Sequence, residues 1–186
     1  METEAVSIDK YLVCDNQTKF DFIYKNYSVI KPLMINYREE LINDVQEMKA
    51  FNRRAANGNP GVRIQISIGH SSPTEKQGIS NITIAKAIDE GILDEDFFAD
   101  TDDQDELVRR VTIYHSVTAD YETFKSKINE LEPNERKMIV PYLLRQKTLD
   151  DLADEWGIEY TSAAMRICRI RKKLSVKVEP RLRRTM

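Results

Sequence analysis

The sequence predicts an all-α protein whose amino-terminal part forms a long-helix hairpin or coiled coil and whose carboxy-terminal part holds shorter helices. Two observations favour this fold. Apolar residues recur at steps of three and four over residues 23–48 and again over 107–131, which is the period of an amphipathic helix. Apolar residues make up 41% and charged residues 32% of the 186 residues, as in many soluble helical proteins.

The first long helix is predicted from one apolar stripe, with a proline inside it. The stripe consists of Ile23, Tyr27, Ile30, Met34, Tyr37, Leu41, Val45 and Met48. Pro32 either kinks this helix or starts a new one at about Leu33, because proline is accepted in a first helical turn. Residues 57–61 hold two glycines and a proline, which favour a turn.

Residues 61–81 give a different pattern. Val62, Ile64, Ile66 and Ile68 alternate with polar residues, which is typical of a strand. A single strand is unstable in water, so this segment is interpreted as an arm, an extended linker, or half of a pair formed across a dimer. Residues 72–75 resemble a helix start, a second start is predicted at Ser80 or Asn81, and Gly91 closes the short helix.

A second long helix is predicted from about Asp102 to Leu131. Between residues 89 and 106 there are ten acidic residues and no basic one, which we interpret as a solvated linker leading into this helix. Its apolar stripe contains Tyr114, Tyr121 and Phe124. Aromatic residues at helical spacing are usually core residues, so a helical core is predicted for them.

The remaining residues predict a helix-turn-helix. A first helix begins at about Pro133, and Pro141 should bend it or end it early because proline lacks the amide hydrogen. Thr148 is a good amino-terminal cap for a short helix from Leu149 to Trp156. Gly157 follows where a left-handed backbone turns the chain into the next helix.

The last helix, from about Tyr160 to Leu174, is predicted to bind DNA. Ala163, Ile167, Ile170 and Leu174 form its buried side, and the other side is polar and basic. Nine basic residues and one acidic residue occur between 166 and 184, so this end is positive although the net charge of the chain is −3. Glu159 is an unusual residue before such a helix, because it repels DNA and caps poorly. The predicted DNA-binding residues are Tyr160, Thr161, Ser162, Met165, Arg166, Arg169, Lys172 and Lys173.

These patterns divide the chain into four predicted segments. Residues 1–100 form a helical region with an irregular linker, and residues 101–130 form a long connecting helix. Residues 131–176 form the helix-turn-helix, and residues 177–186 form a basic tail.

Residues 148–174 resemble region 4 of the sigma-70 family. The shared features are the opening Thr148-Leu-Asp-Asp-Leu-Ala, the bulky-Gly-Ile turn at Trp156-Gly-Ile158, and the ending Arg169-Ile-Arg-Lys-Lys-Leu174. The resemblance implies a domain that reads promoter DNA and contacts RNA polymerase. More weakly, His70-Ser-Ser-Pro-Thr74 is similar to small phage and prophage late-gene regulators of the RinA and ArpU type.

The predicted function is therefore sequence-specific DNA binding that activates phage-type genes. Two alternatives stay open: a compact alternative sigma factor, and a DNA-packaging or architectural protein with a helix-turn-helix. The expected partners are double-stranded DNA, RNA polymerase, and a second copy joined through the long helices.

Enzymatic activity is not expected. His70 and His115 are isolated, and the chain has no glycine-rich phosphate loop, HExxH motif or nucleophile elbow. Cys14 and Cys168 lie far apart without a histidine at ligand spacing, so neither a metal nor a cofactor is predicted. No apolar run is long enough to cross a bilayer and no signal peptide begins the chain, so a cytoplasmic location is expected.

Overall fold

The computed structural model describes residues 8–56 and 73–182, and these residues are all-α, as predicted. The helices are α1 (Asn16–Asn26), α2 (Ile30–Ala56), α3 (Pro73–Glu90), α4 (Glu95–Phe98), α5 (Gln104–Asn129), α6 (Pro133–Leu143), α7 (Leu149–Trp156) and α8 (Tyr160–Val178). Short 3-10 helices occupy Ile8–Val13 and Glu179–Arg181. The described residues contain no strand, and the strand pattern at 62–68 lies outside them.

Two helices replace the first predicted helix. Asp15 caps α1, because its side chain accepts a hydrogen bond of 2.7 Å from the Thr18 amide. After α1 ends at Asn26, α2 begins at Ile30 and includes Pro32 in its first turn, where the missing amide hydrogen costs little. Of the two alternatives at Pro32, a kink or a new helix at about Leu33, the structure has the new helix, which begins three residues earlier than expected.

The described residues divide into two compact units. Unit 1 contains the residues up to Met34 and those from Ser116 onward, and unit 2 contains Ile35–His115. Both α2 and α5 have residues in each unit. The boundaries of the two units differ from those of the four predicted segments. Helix α1 belongs to the same unit as the carboxy-terminal helices.

Unit 2 has a core formed by four helices. Its buried side chains are Leu41 and Val45 of α2, Ile84 and Ile88 of α3, Phe97 of α4, and Leu107 and Val111 of α5. On α2, α3 and α5 the two core residues lie four positions apart, so each of these three helices presents one apolar stripe to the core, and α4 contributes Phe97. This burial is the main stabilising contribution in unit 2.

The acidic segment is not a solvated linker, and that prediction was wrong. It contains α4, and Phe97 within it is 4% exposed in the unit 2 core. Asp89 pairs with Arg38 of α2, and Asp100 pairs with Arg53 of the same helix at 2.7 Å. Apolar burial combined with opposite charges on α2 therefore outweighs the repulsion among the carboxylates.

A buried lysine of α2, Lys49, caps the carboxyl end of α4. Lys49 is 6% exposed, and its ammonium group donates hydrogen bonds to the carbonyl oxygens of Asp96 and Ala99 at 2.8 and 2.9 Å. A cation suits this position, since the carbonyls at a helix carboxyl end carry partial negative charge. Burial lowers the pKa of Lys49.

Helix α3 runs without a break from Pro73, so the second predicted start at Ser80 or Asn81 was wrong. Extending a helix that has already formed costs less than nucleating a new one. Gly91 closes α3 with φ +67°, as predicted. The His115 Nε2 atom is 2.8 Å from the Ile88 carbonyl oxygen, and a Cβ at Gly91 would approach the same atom to 3.2 Å.

Unit 1 has an aromatic core that joins α1 to α5. Phe20 and Tyr27 each lie 5.6 Å, between ring centroids, from Phe124, which is fully buried, as predicted for that residue. The Tyr11 hydroxyl donates to the Asp120 carboxylate at 2.9 Å, and both side chains are buried. Burial and the adjacent Asp120 charge raise the pKa of Tyr11, so the phenol stays protonated and donates.

Residues 177–186 were predicted to form a basic tail, and residues 177–182 of this segment pack in unit 1. Helix α8 extends to Val178, which is buried, and Leu182 after the last 3-10 turn is 3% exposed. The Asn16 side-chain amide donates to the Glu179 carbonyl oxygen at 2.7 Å. The two ends of the described chain therefore meet in unit 1. Across the described residues, no helix combines the length and apolar character that a membrane crossing needs.

Candidate nucleic-acid interface

Helix α6 ends two residues after Pro141, as the sequence predicts. Because Pro141 cannot donate to the preceding turn, the helix stops at Leu143 and the chain reverses. The Gln146 amide then donates to the Pro141 carbonyl oxygen at 2.9 Å, and Arg145 adopts φ +55°. A left-handed residue at this point closes the helix, and glycine is the usual residue there.

Helix α7 has the predicted bounds and caps. Thr148 and Asp151 form a reciprocal capping box, in which each side chain accepts from the other residue's amide, at 3.2 and 2.8 Å. These hydrogen bonds lower the pKa of Asp151. Gly157 follows with φ +59° and ψ +39°, and the Ile158 amide donates to the Ala153 carbonyl oxygen at 3.0 Å.

Helix α8 then packs one side against α6 and α7. The predicted inner residues Ala163, Ile167, Ile170 and Leu174 are all buried, and Leu152 and Ala153 of α7 are buried as well. The order helix, left-handed glycine turn, helix follows from this sequence pattern. The packing of α8 on α6 and α7 determines which side of α8 is available to a ligand.

The other side of α8 is exposed. Six of the eight residues predicted to bind DNA are exposed: Tyr160, Thr161, Met165, Arg166, Arg169 and Lys172. Thr161 and Lys172 lie eleven residues apart, so this face is about 16 Å long at 1.5 Å per residue. Exposed Met165 and Cys168 lie along the same line.

Three cations on this face have no ion-pair partner among the described residues. They are Arg166, Arg169 and Lys172. Arg166 and Arg169 also border a small cleft of about 180 Å³ that contains Trp156 and Met138. Unpaired guanidinium and ammonium groups can bind phosphate oxygens without first breaking an internal ion pair.

The two other residues of the predicted set are half-buried. Ser162 lies in the first turn of α8, and Lys173 turns toward α6. The Lys173 ammonium donates to the Glu135 carboxylate at 2.8 Å and lies 3.7 Å from Glu132, which raises the pKa of Lys173. Lys173 therefore already has internal partners that a phosphate would have to replace.

The contact of Arg171 with α1 was not predicted from the sequence. Its guanidinium donates to Asp21 of α1 at 2.7 Å and lies 5.1 Å from the centroid of the Tyr24 ring. Asp21 and Arg171 are 150 positions apart, so no local sequence pattern signals the contact. The basic run on α8 is thus divided between unpaired cations and cations that hold unit 1 together.

Acidic residues border the exposed face at its beginning. Glu159 occupies the cap position of α8 and makes no capping hydrogen bond, as its residue type predicts. Asp150, Asp154 and Glu155 are exposed on α7. A polyanion is therefore attracted to the middle and end of the α8 face more than to α7.

The described residues contain no group of three histidine, cysteine or acidic side chains placed to hold a metal ion. Cys14 and Cys168 are free thiols. No family model, curated protein or solved structure matches this chain.

Proposed function

We propose that this protein is a sequence-specific double-stranded-DNA-binding regulator of transcription that places α8 in the major groove. The observation that carries the proposal is the exposed face of α8. It combines three unpaired cations with Thr161 and Met165 at the beginning of the helix, after a left-handed glycine turn. In such a helix the early residues contact base edges and the later basic residues contact phosphates.

The uncharged and the charged residues of this face have different proposed roles. Thr161 can donate or accept a hydrogen bond at a base edge, and Met165 can contact a thymine methyl group. Arg166, Arg169 and Lys172 supply the attraction that is independent of sequence. Three phosphate contacts correspond to a slope of about −2.7 in a plot of log binding constant against log salt concentration.

The direction of regulation rests on the resemblance of residues 148–174 to sigma region 4. We propose that the protein activates genes of the phage late type and that RNA polymerase is its protein partner. A second copy, joined through the long helices, is proposed as a further partner. Promoter melting requires exposed aromatic residues beside basic ones. Tyr27 and Phe124 are buried, and Arg53 near the exposed Phe51 is paired with Asp100, so we prefer the activator to a sigma factor.

The DNA-binding proposal is tested with the double variant Arg169→Ala/Lys172→Ala. DNA fragments selected from a random library by the full chain provide the specific site, and scrambled fragments provide the reference. The variant should bind both kinds weakly, and its salt slope should be shallower by about 1.8, because two contacts release fewer counterions. An unchanged slope would contradict the placement of α8 on DNA.

The matched control is Arg109→Ala/Lys125→Ala, which removes two exposed cations from α5. It changes the net charge of the chain by the same amount, so its DNA affinity should stay close to that of the parent chain. Equal losses in both double variants would mean that net charge, and not the α8 face, controls binding.

Transcription assays separate the activator from the sigma factor. With a promoter that contains the selected site, the protein should stimulate polymerase holoenzyme and leave core polymerase silent. Promoter opening by core polymerase and this protein alone would overturn the activator proposal and favour the compact sigma factor.

A further inference from the structure

Unit 1 contains a second cleft, on residues that the DNA-binding proposal does not use apart from Tyr160. The cleft has a volume of about 650 Å³ and lies between α1, the connection from α6 to α7, and the start of α8. Its volume falls within the range of small-molecule sites, which is roughly 300–1,000 Å³. An inorganic ion would leave most of this space empty.

The lining of the cleft combines aromatic rings with cations. Tyr24 and Tyr142 are half-buried in it, and Tyr160 borders it with 50% of its surface exposed. Lys25 and Arg145 are exposed at the same cleft. Burial raises the pKa of Tyr24, so its hydroxyl remains a hydrogen-bond donor at neutral pH.

Arg145 supplies the second, independent observation. It has φ +55° at the turn after α6, where glycine would be free of strain. Its guanidinium donates to the Lys25 carbonyl oxygen at 3.1 Å, which holds the side chain beside α1 and next to Lys25. A residue with a strained backbone at a cleft points to a role for its side chain.

We propose that this cleft binds a free nucleoside phosphate. The Tyr142 and Tyr160 rings offer surfaces for stacking a planar base, as aromatic side chains do in nucleic-acid complexes, whereas the Tyr24 ring already contacts Arg171 and Phe20. Arg145 and Lys25 bind the phosphate oxygens, with the guanidinium providing a planar fork of donors. The Asp150 carboxylate, also in the lining, accepts a hydrogen bond from a ribose hydroxyl.

A mononucleotide fits these groups better than duplex DNA does. A phosphate of the duplex backbone carries no free base, so it would not use the aromatic part of the lining. Lys147 is already paired with Glu155 at 2.7 Å, which leaves Lys25 and Arg145 as the cations for one small anionic ligand. Because Tyr160 begins α8, an occupied cleft would lie directly beside the proposed DNA-binding face.

The test is titration calorimetry of the full chain with ATP, adenosine and inorganic phosphate as separate probes. ATP should bind at least tenfold more tightly than adenosine or phosphate, because it alone engages both the rings and the cations. Arg145→Gly should weaken ATP binding at least tenfold without lowering the melting temperature, since glycine relieves the left-handed strain. Lys25→Ala should weaken it in the same direction, and Lys125→Ala on α5 should leave it unchanged.

Three results of these titrations would overturn the proposal, and a fourth concerns the Arg169→Ala/Lys172→Ala chain. The three are no binding of any probe at millimolar concentration, equal ATP affinity in Arg145→Gly and the parent chain, and tighter binding of a short oligothymidylate than of ATP. The Arg169→Ala/Lys172→Ala chain should retain its ATP affinity, because neither residue lines the cleft. Loss of ATP binding in that variant would place the nucleotide on the α8 face and would also overturn the proposal, whereas failure of DNA binding alone would leave it standing.

Discussion

The Arg171 guanidinium on α8 donates to the Asp21 carboxylate on α1 at 2.7 Å while it lies over the Tyr24 ring. This contact joins the first helix of the chain to the helix that carries the proposed DNA-binding face. The hydrogen bond that Arg171 donates to Asp21 raises the pKa of Arg171, so the guanidinium stays charged. Helix α1 is therefore part of the scaffold that positions α8.

Arg171→Ala should destabilise the protein more than Asp21→Ala does. Arg171→Ala removes both the ion pair and the ring contact. Asp21→Ala removes the ion pair and a long, exposed hydrogen bond of 3.3 Å from the Gln17 side chain. Exposed ion pairs contribute roughly 0.2–1 kcal/mol, and an exposed cation–ring contact contributes about 0.5–1 kcal/mol. Chemical unfolding of both variants and the double variant measures the coupling, and strictly additive effects would show that the pair contributes nothing.

Glu159→Ser should increase both stability and DNA affinity. Serine caps the first amides of α8, which Glu159 does not, and such caps contribute about 0.5–2 kcal/mol. The substitution also removes a negative charge beside the proposed interface. Glu159→Ala is the matched control: it should increase DNA affinity by the same factor without the gain in stability. A serine variant no more stable than the alanine variant would contradict the cap.

The capping box at Thr148 should make the stability of unit 1 depend on acidic pH. Hydrogen bonds in the folded state lower the pKa of Asp151, so its contribution is fully present above the pKa of the unfolded chain. That contribution is lost as the pH falls through the folded-state pKa. In unfolding experiments from pH 6 to pH 2, Asp151→Asn should lose less stability than the parent chain. Parallel curves would contradict a role for the carboxylate.

Gly157→Val should destabilise α7 and α8 through the backbone alone. A Cβ at this position would meet no atom within 4 Å, so the cost comes from φ +59° and not from crowding. Left-handed backbone costs an L-residue roughly 1–2 kcal/mol, with β-branched residues at the high end. Gly157→Asn should be milder, because asparagine tolerates this conformation. Equal melting temperatures for the two variants would contradict the stated cause.

Local features of unit 1 could be predicted from the sequence. The bounds of α7, the Thr148 cap and the left-handed Gly157 each depend on a few neighbouring residues, and all are present in the structure. Pro141 predicted that α6 bends or ends early, and the helix ends two residues after it. The buried side of α8 follows from its apolar spacing, because helix geometry converts sequence period into direction.

Contacts between distant residues could not be predicted in this way. The packing of the acidic segment on α2 depends on Phe97 entering a core with Leu41 and Val45, about fifty positions away. The cleft at Arg145 needs Lys25 of α1 beside the turn after α6, 120 positions apart. A single sequence records the local preferences of each segment but not which segments pack together.

The bond from Asn16 to the Glu179 carbonyl has a consequence for the order in which the protein is made. Residues from both ends of the described chain complete unit 1, while the 35–115 segment of unit 2 is continuous and emerges between them. At 5–20 residues per second, roughly 4–16 s of synthesis separate the two parts of unit 1. During that interval Phe20 lacks its partner Phe124, so we expect unit 2 to fold first on the ribosome and the α8 face to be completed last.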